Sequence, residues 1–220
     1  MVRTVSDQAD PDPSCPLCAA PAAPFREIRG RRYHGCPLCG GIFLDPAQRL
    51  GSAEEKGRYE KHRNDAEDPG YRSFVSPLTE AVRREVPPSS PGLDYGAGRS
   101  SAVAALLREA GYRVEEYDPY FADRPELLGR RYGFVALCEV AEHFYRPGEE
   151  FARLRDLLAP GGRLYCMTAL YEEGLDFASW HYKDDPTHVF IYRRETLGWI
   201  AGRLGFAGLR VEGRLAVFSR

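Results

Sequence analysis

The chain has 220 residues, of which 43% are hydrophobic and 28% are charged, and its formal net charge is −2. This length suits one ordinary domain with a small appended module, and no apolar run approaches the roughly 18 residues of a membrane helix. The polar N-terminus lacks a secretory pattern, and the small negative charge offers no general attraction for polyanions, so we expect a globular cytoplasmic protein with no nucleic-acid substrate.

The first 48 residues are predicted to contain a disordered tail, residues 1–12, and a zinc ribbon, residues 13–48. Short strands are expected around residues 25–28 and 41–44. The ribbon is indicated by two Cys-Pro-Leu-Cys pairs that 17 residues separate; the four cysteines are Cys15, Cys18, Cys36 and Cys39. Each Cys-x-x-Cys turn presents two thiolates to one ion, so two turns complete a tetrahedral shell with zinc-ribbon spacing.

Four cysteines leave no coordination position for water, so the predicted Zn²⁺ is structural. A ribbon of this size has little core of its own, and metal binding would then drive its folding. A pair of disulfides is the alternative interpretation. The lack of a recognisable signal peptide favours metal, because thiols stay reduced in the cytosol.

A charged segment, residues 49–88, is predicted to be a helical connector or lid. Helices are expected over residues 53–64 and 77–86, on either side of a turn at residues 68–70. Ser76 is a candidate cap for the second helix.

The remaining residues, 89–220, alternate between strand and helix patterns. In chain order we expect a strand ending at residue 95, a helix to 110, a strand over 112–117, a strand over 133–138, a helix over 148–158, a strand over 163–168, a helix over 194–204, and closing strands over 209–212 and 215–219. This order predicts an α/β fold with a doubly wound, mostly parallel sheet, in which the closing pair supplies an antiparallel edge strand.

An acid-tipped strand followed by a Gly-x-Gly turn indicates a ligand site. The segment Leu93-Asp94-Tyr95-Gly96-Ala97-Gly98 carries this pattern, and Asp118 follows Gly98 by twenty residues. Glycines let the backbone approach a ligand closely, and an acid at the next strand end can accept both hydroxyls of a ribose. A dinucleotide site needs a third glycine where this chain has Ser101. The pattern therefore predicts another nucleotide-like cofactor.

Three segments together resemble the class I S-adenosylmethionine-dependent methyltransferases. Residues 93–98 resemble motif I of that family, residues 136–144 its post-motif strand and helix, and residues 158–164 its Pro-Gly-Gly turn before the fifth strand. The resemblance covers about residues 88–170. Within the family the chain is similar to the quinone-biosynthesis O-methyltransferases, and a Cys₄ module at the N-terminus is similar to that of sugar C-methyltransferases.

The resemblance implies S-adenosyl-L-methionine as the cofactor and assigns residues to it. The methionine end would border Asp94, Gly96 and Gly98, the ribose would contact Asp118, and the pocket at the fourth strand would include Cys138 and Glu139. Only residues 119–132 separate the second strand from the next one, too few for a strand and a crossover helix. We therefore expect the family's third strand, or the helix after it, to be missing or vestigial, which puts the usual adenine-binding acid in doubt.

Methyl transfer needs an aligned acceptor and, where the acceptor is protonated, a base. His143 is the first candidate base, and its alternative interpretation is a structural histidine that caps a short helix. A second group comprises His181, His188 and Asp185, which follow the fifth strand, where the family commonly builds its acceptor pocket. Asp185 would orient one of these histidines; the alternative is a loop held by its own hydrogen bonds.

The sequence as a whole predicts a methyltransferase that acts on a small-molecule acceptor by O- or C-methylation. An RNA base methyltransferase is a rival, but residues 138–141 read Cys-Glu-Val-Ala where such enzymes usually carry an Asn/Asp-Pro-Pro-aromatic motif. A zinc-ribbon interaction scaffold with a degenerate methyltransferase domain is the non-enzyme alternative. No membrane association is expected, and no pattern indicates an oligomeric state.

Overall fold

The computed structural model describes residues 13–61 and 66–220. The tail expected at residues 1–12 lies outside the described residues, and so does the end, 62–64, of the helix expected over 53–64. Among the described helices, none has the length and apolar character needed to cross a membrane.

The elements follow the alternating order that the sequence predicts. The N-terminal part contains β1 (Ala23–Ile28), β2 (Arg31–Gly35), β3 (Ile42–Leu44), α1 (Ser52–Tyr59) and α2 (Pro69–Glu85). The rest contains β4 (Pro91–Tyr95), α3 (Ala102–Glu109), β5 (Arg113–Tyr117), β6 (Tyr132–Cys138), α4 (Pro147–Leu157), β7 (Leu158–Met167), β8 (Phe190–Ile191), α5 (Arg194–Arg203), β9 (Gly208–Glu212) and β10 (Leu215–Ser219).

The main sheet has six strands in the order β5-β4-β6-β7-β10-β9. The first four strands are parallel, whereas β10 pairs antiparallel with both β7 and β9. The predicted α/β class with a mostly parallel sheet is therefore confirmed. The closing β9–β10 pair supplies the antiparallel edge, as expected: β10 lies beside β7, and β9 is the edge strand.

The shortened region between β5 and β6 has the form that the sequence predicts. It holds a single 3₁₀ turn, Pro125–Gly129, and within the described ranges no strand pairs with the outer side of β5. The third strand expected of the family is therefore absent from this part of the chain, and β5 is an edge strand.

Helix α2 starts eight residues before its predicted beginning. Asp68 caps it by accepting hydrogen bonds from the N–H of Gly70 and Tyr71, and Pro69 takes the first helical position. Pro77 lies inside the helix and cannot donate to the carbonyl of Ser73. The Ser76 hydroxyl donates to that carbonyl at 2.9 Å, so the predicted capping role of Ser76 is wrong and its hydroxyl compensates for the proline instead.

The N-terminal ribbon forms a second sheet with the antiparallel order β1-β2-β3-β8. Its fourth strand comes from the far end of the chain, because Ile42 and Phe43 pair with Ile191 and Phe190. The sequence did not indicate this strand, since two residues carry no recognisable period. The ribbon is thus tied to the segment that follows β7.

The ribbon also shares its hydrophobic core with the main domain. Cys15, Cys36 and Cys39 are buried in the same cluster as Phe151 of α4 and Phe190 of β8. The two modules approach closely at Gly148, where a Cβ atom would lie 2.5 Å from the carbonyl oxygen of Leu17. The ribbon is therefore supported by packing on the main domain, a contribution that the sequence did not indicate.

Candidate functional site

A cavity of about 510 Å³ lies at the carboxyl ends of β4, β5 and β6. Open parallel sheets bind ligands at this edge. Six of the residues singled out from the sequence line it: Gly96, Gly98, Asp118, Cys138, Glu139 and His143. The other four singled-out residues of the main domain, Asp94, His181, Asp185 and His188, are not among its lining residues.

The Gly-x-Gly turn and Asp118 form one hydrogen-bonded unit. Gly96 and Gly98 have φ values of +80° and +66°, a region that favours glycine, and a Cβ on Gly96 would lie 2.6 Å from the side chain of Val140. The N–H of Gly98 donates to Oδ2 of Asp118 at 2.9 Å, while Oδ1 accepts from Tyr120 and Phe121. The carboxylate therefore holds the glycine turn against the end of β5, and Oδ2 keeps a lone pair for a further donor.

Asp94 lies beneath the turn. Its side chain accepts a hydrogen bond from the Ser101 hydroxyl, which in turn caps α3 by accepting from the N–H of Ala104 at 2.9 Å. Burial raises the pKa of Asp94 to about 7, although the bond from Ser101 acts in the opposite direction. The position where a dinucleotide site has its third glycine thus carries a serine that links the buried acid to the helix.

Glu139 is strained and poorly solvated. It has a φ of +51° directly after β6, in a region that non-glycine residues avoid. Its Oε2 accepts from Arg214 at 2.6 Å, and among the described residues its buried Oε1 has no hydrogen-bond partner. Burial and the charge of Glu142 raise the pKa of Glu139 to about 8 against the influence of Arg214. The neighbouring thiol of Cys138 also has a raised pKa, because it is buried.

Among the histidines that the structure describes, His143 is the one that lines the cavity. It lies in a single 3₁₀ turn, Ala141–His143, and its Nδ1 is 2.9 Å from the carbonyl oxygen of Thr187. Because a carbonyl only accepts, this contact places the proton on Nδ1 and leaves Nε2 as the acceptor. The ring also contacts Tyr59 and His188, with centroid distances of 5.2 and 4.9 Å.

His188 packs behind His143, next to a buried carboxylate. Its Nδ1 lies 2.6 Å from the carbonyl oxygen of Tyr182, and its Nε2 lies 3.9 Å from Oε1 of Glu142. Burial lowers the pKa of His188, and the charge of Glu142 opposes this. Glu142 is fully buried and accepts from the hydroxyls of Tyr182 at 2.5 Å and Thr168 at 2.8 Å. The sequence analysis did not single out Glu142, Tyr182 or Thr168. The Glu-His pair at 142–143 was the available signal.

The other two candidates of this segment have different positions. His181 is exposed at the start of the 3₁₀ turn His181–Asp184. Asp185 accepts from the N–H and hydroxyl of Thr187 and pairs with Arg58 at 3.2 Å. The carbonyl of Tyr182 holds Nδ1 of His188. The prediction that Asp185 orients this ring is therefore wrong at that nitrogen. Asp185 instead shapes the turn whose carbonyl, at Thr187, contacts His143.

Helix α1 covers the cavity. The Glu55 side chain is buried and accepts from the hydroxyls of Tyr59 at 2.7 Å and Tyr120 at 2.9 Å. Glu60 pairs with Arg99 of the glycine turn at 3.0 Å. The helix therefore bridges the turn after β4 and the loop after β5, and through Arg58 it also contacts the segment after β7.

The four ribbon cysteines converge on one point. The Sγ atoms of Cys15 and Cys39 are 3.6 Å apart, those of Cys18 and Cys36 are 3.4 Å apart, and all four lie within 4.8 Å of one another. Tetrahedral Zn²⁺ with bonds of about 2.3 Å separates its sulfurs by about 3.8 Å, whereas a disulfide brings them to about 2.05 Å. All four cysteines are free, so the donor set fits zinc.

The two Cys-x-x-Cys turns also share one backbone geometry. Ala19 and Gly40, each next after a second cysteine, have φ values of +60° and +73°. Their N–H groups donate to the carbonyls of Cys15 and Cys36 at 2.8 and 2.9 Å. The repeat in the sequence is therefore a repeat in structure, with glycine at one of the two left-handed positions.

Comparison with known proteins identifies a family. The family model of the methyltransferase domain matches residues 64–211. A similar solved structure is the 1,6-didemethyltoxoflavin N1-methyltransferase of Burkholderia thailandensis with bound 1,6-didemethyltoxoflavin and S-adenosylhomocysteine (TM-score 0.50, 14% identity, 90% of this chain and 99% of that one). A SAM-dependent methyltransferase from Archaeoglobus fulgidus has a TM-score of 0.49 and 21% identity, over 64% of this chain and 72% of that one. No curated protein matches the sequence. At this identity, the first of these structures supports the fold.

Proposed function

The chain belongs to the methyltransferase-domain family, and from this we infer that it transfers a methyl group from S-adenosylmethionine to an oxygen or carbon atom of a small molecule. The S-adenosylhomocysteine and the small heterocycle bound to the toxoflavin enzyme support both halves of this proposal. The N-methylation in that enzyme's name shows that nitrogen acceptors occur on the same fold.

One observation carries the proposal: the glycine turn and an acid at the next strand end meet in a single cavity. Gly96 and Gly98 keep side chains away from the cavity wall, and Asp118 is held there by three backbone N–H groups. The free lone pair on Oδ2 can accept a ribose hydroxyl. When bound, S-adenosylmethionine supplies a methyl group that its sulfonium already activates, so the protein needs only to align the acceptor and manage its proton.

We assign the base to His143. Its Nδ1–H is fixed on the Thr187 carbonyl, so Nε2 is the atom that can accept a proton from an acceptor hydroxyl in the cavity. His188 and Glu142 lie behind the ring, and the carboxylate can stabilise the imidazolium that forms. Asp185 acts at a distance by shaping the Thr187 turn, and His181, on the exposed surface, takes no part in this assignment.

We propose that Zn²⁺ is structural and bound by Cys15, Cys18, Cys36 and Cys39. The closed set of four thiols leaves no position for a substrate. Aromatic contacts extend the ribbon's influence toward the acceptor, because Tyr33 packs edge-on against Phe177 at 5.0 Å and its hydroxyl donates to the carbonyl of Lys183 at 3.1 Å. The ribbon would then hold the segment after β7 in place.

Calorimetric titration with S-adenosylmethionine and S-adenosylhomocysteine tests the cofactor. We expect micromolar dissociation constants, or about −8 kcal/mol. Incubation with methyl-labelled cofactor and a small-molecule extract should then give a labelled product that mass spectrometry identifies. No binding by the folded chain would instead support the scaffold interpretation, and label transferred only to RNA would support the nucleic-acid one.

A further inference from the structure

The cavity has an aromatic end that the chemistry described above does not use. Tyr95 and Tyr117 are partners in the β4–β5 register, with ring centroids 5.2 Å apart, and Phe144 packs edge-on against Tyr95 at 6.4 Å. All three line the cavity and are less than 10% exposed. A flat aromatic ligand would find walls on this side that match its shape.

A carboxylate is fixed at the same end. Glu150 lies in the first turn of α4, where Oε2 accepts from the hydroxyl of Tyr95 at 2.6 Å and Oε1 accepts from Arg153 at 2.8 Å. Its side chain is 22% exposed, whereas that of Glu149 beside it is 64% exposed and pairs with Arg146. Each oxygen of Glu150 has accepted one hydrogen bond and can accept another. The end therefore presents a preorganised acceptor next to its aromatic walls.

The direction of the cofactor follows from the two other positions. If the ribose lies on Asp118 and the reacting methyl group points toward His143, the adenine ring must extend away from His143. Tyr117 immediately precedes Asp118, so its ring lies next to the proposed ribose position. The part of the cavity on that side, toward α4, is the aromatic end that Tyr95, Tyr117 and Glu150 line. No third strand lies beside β5 in the described chain to supply another acceptor there.

We propose that Glu150 recognises the exocyclic amino group of adenine and that Tyr95 and Tyr117 hold the ring, in place of groups from the absent third strand. The inference rests on the proposed use of S-adenosylmethionine. Adenine offers two N–H donors at its amino group, which a carboxylate accepts, whereas hypoxanthine has an oxygen at that position and would face the carboxylate with a lone pair. A site of this kind rejects the wrong base because a buried acceptor is left unpaired.

The test compares the dissociation constants of S-adenosylhomocysteine and S-inosylhomocysteine for the full chain by calorimetry. The wild type should prefer the adenine compound by about 30-fold, and in Glu150→Gln, whose amide can donate as well as accept, the preference should fall below about threefold. Asp156→Asn, in the same helix but outside the cavity lining, is the control and should keep the wild-type preference. An unchanged preference in Glu150→Gln would overturn the assignment.

Two further variants test the positioning and the walls. Tyr95→Phe keeps the ring but removes the hydroxyl that holds Glu150, so the preference should decrease by a few-fold even if Glu150→Gln does not fold. Tyr117→Leu should weaken both compounds by about tenfold without changing their ratio. A wild type that binds both compounds equally overturns only the adenine assignment, whereas one that binds neither overturns the proposed function as well.

Discussion

The buried acid Asp94 predicts a specific pH dependence of stability. Burial raises its pKa from 3.8 to about 7. Below pH 3.8 the group is protonated in both the folded and the unfolded chain and has no effect. Between pH 3.8 and 7 the unfolded chain releases this proton while the folded chain keeps it, so the free energy of unfolding falls as pH rises. The fall amounts to about 4 kcal/mol at the 1.36 kcal/mol of each pKa unit, and it is complete above pH 7.

Asp94→Asn removes this titration while keeping a carbonyl oxygen for the Ser101 hydroxyl. The difference in unfolding free energy between variant and wild type should therefore grow in favour of the variant from pH 5 to pH 7.5, by about 1 to 3 kcal/mol. Urea unfolding at constant ionic strength, at half-unit pH steps, measures it. Glu80→Gln changes an exposed carboxylate of α2 and should run parallel to the wild type. If Asp94→Asn also runs parallel, Asp94 is ionised in the folded protein and the reasoning fails.

Three other variants test the assigned roles. Asp118→Ala should weaken S-adenosylhomocysteine binding by about 1–3 kcal/mol in calorimetry, while Ala at the exposed Asp123 should not; equal affinities would refute the ribose contact. His143→Gln should lower kcat by about 10²- to 10⁴-fold with unchanged cofactor affinity, whereas His181→Gln, at an exposed position, should match the wild type. A large loss of kcat in His181→Gln and none in His143→Gln would exchange the roles of the two histidines. Cys36→Ser should lose the single equivalent of zinc measured by elemental analysis and lower Tm; a fully folded wild type without zinc would contradict the ribbon assignment.

The elements that the sequence predicted well are those with local signals. The Gly-x-Gly turn and the two Cys-x-x-Cys turns each need a particular backbone conformation, and Gly96, Gly98 and Gly40 adopt positive φ values there. The shortened third-strand region could be deduced from the small number of residues, 119–132, between two predicted strands. Local chemistry thus located the cavity, the cysteine cluster and the missing strand.

The features that the sequence did not reveal depend on contacts between distant residues. Strand β8 has two residues and exists only because β3 pairs with it. The start of α2 was misplaced because Pro77 is a helix breaker by propensity, and the Ser76 hydroxyl offsets the lost donor. Glu142 was not predicted because a glutamate beside a histidine is typical of a charged surface. In the structure its carboxylate is buried and accepts hydrogen bonds from the hydroxyls of Tyr182 and Thr168.

The same distant contacts connect the ribbon to the side of the cavity that His143 lines. Thr187, whose carbonyl sets the tautomer of His143, lies three residues before the strand that completes the ribbon sheet. The carbonyl of Lys183 on the other side of Thr187 accepts from Tyr33 and from Arg31 of β2. The turn that positions His143, the proposed base, is therefore held at both ends by the ribbon. Loss of the proposed zinc should therefore disturb His143 before it disturbs Asp118, which is held by the N–H groups of Gly98, Tyr120 and Phe121.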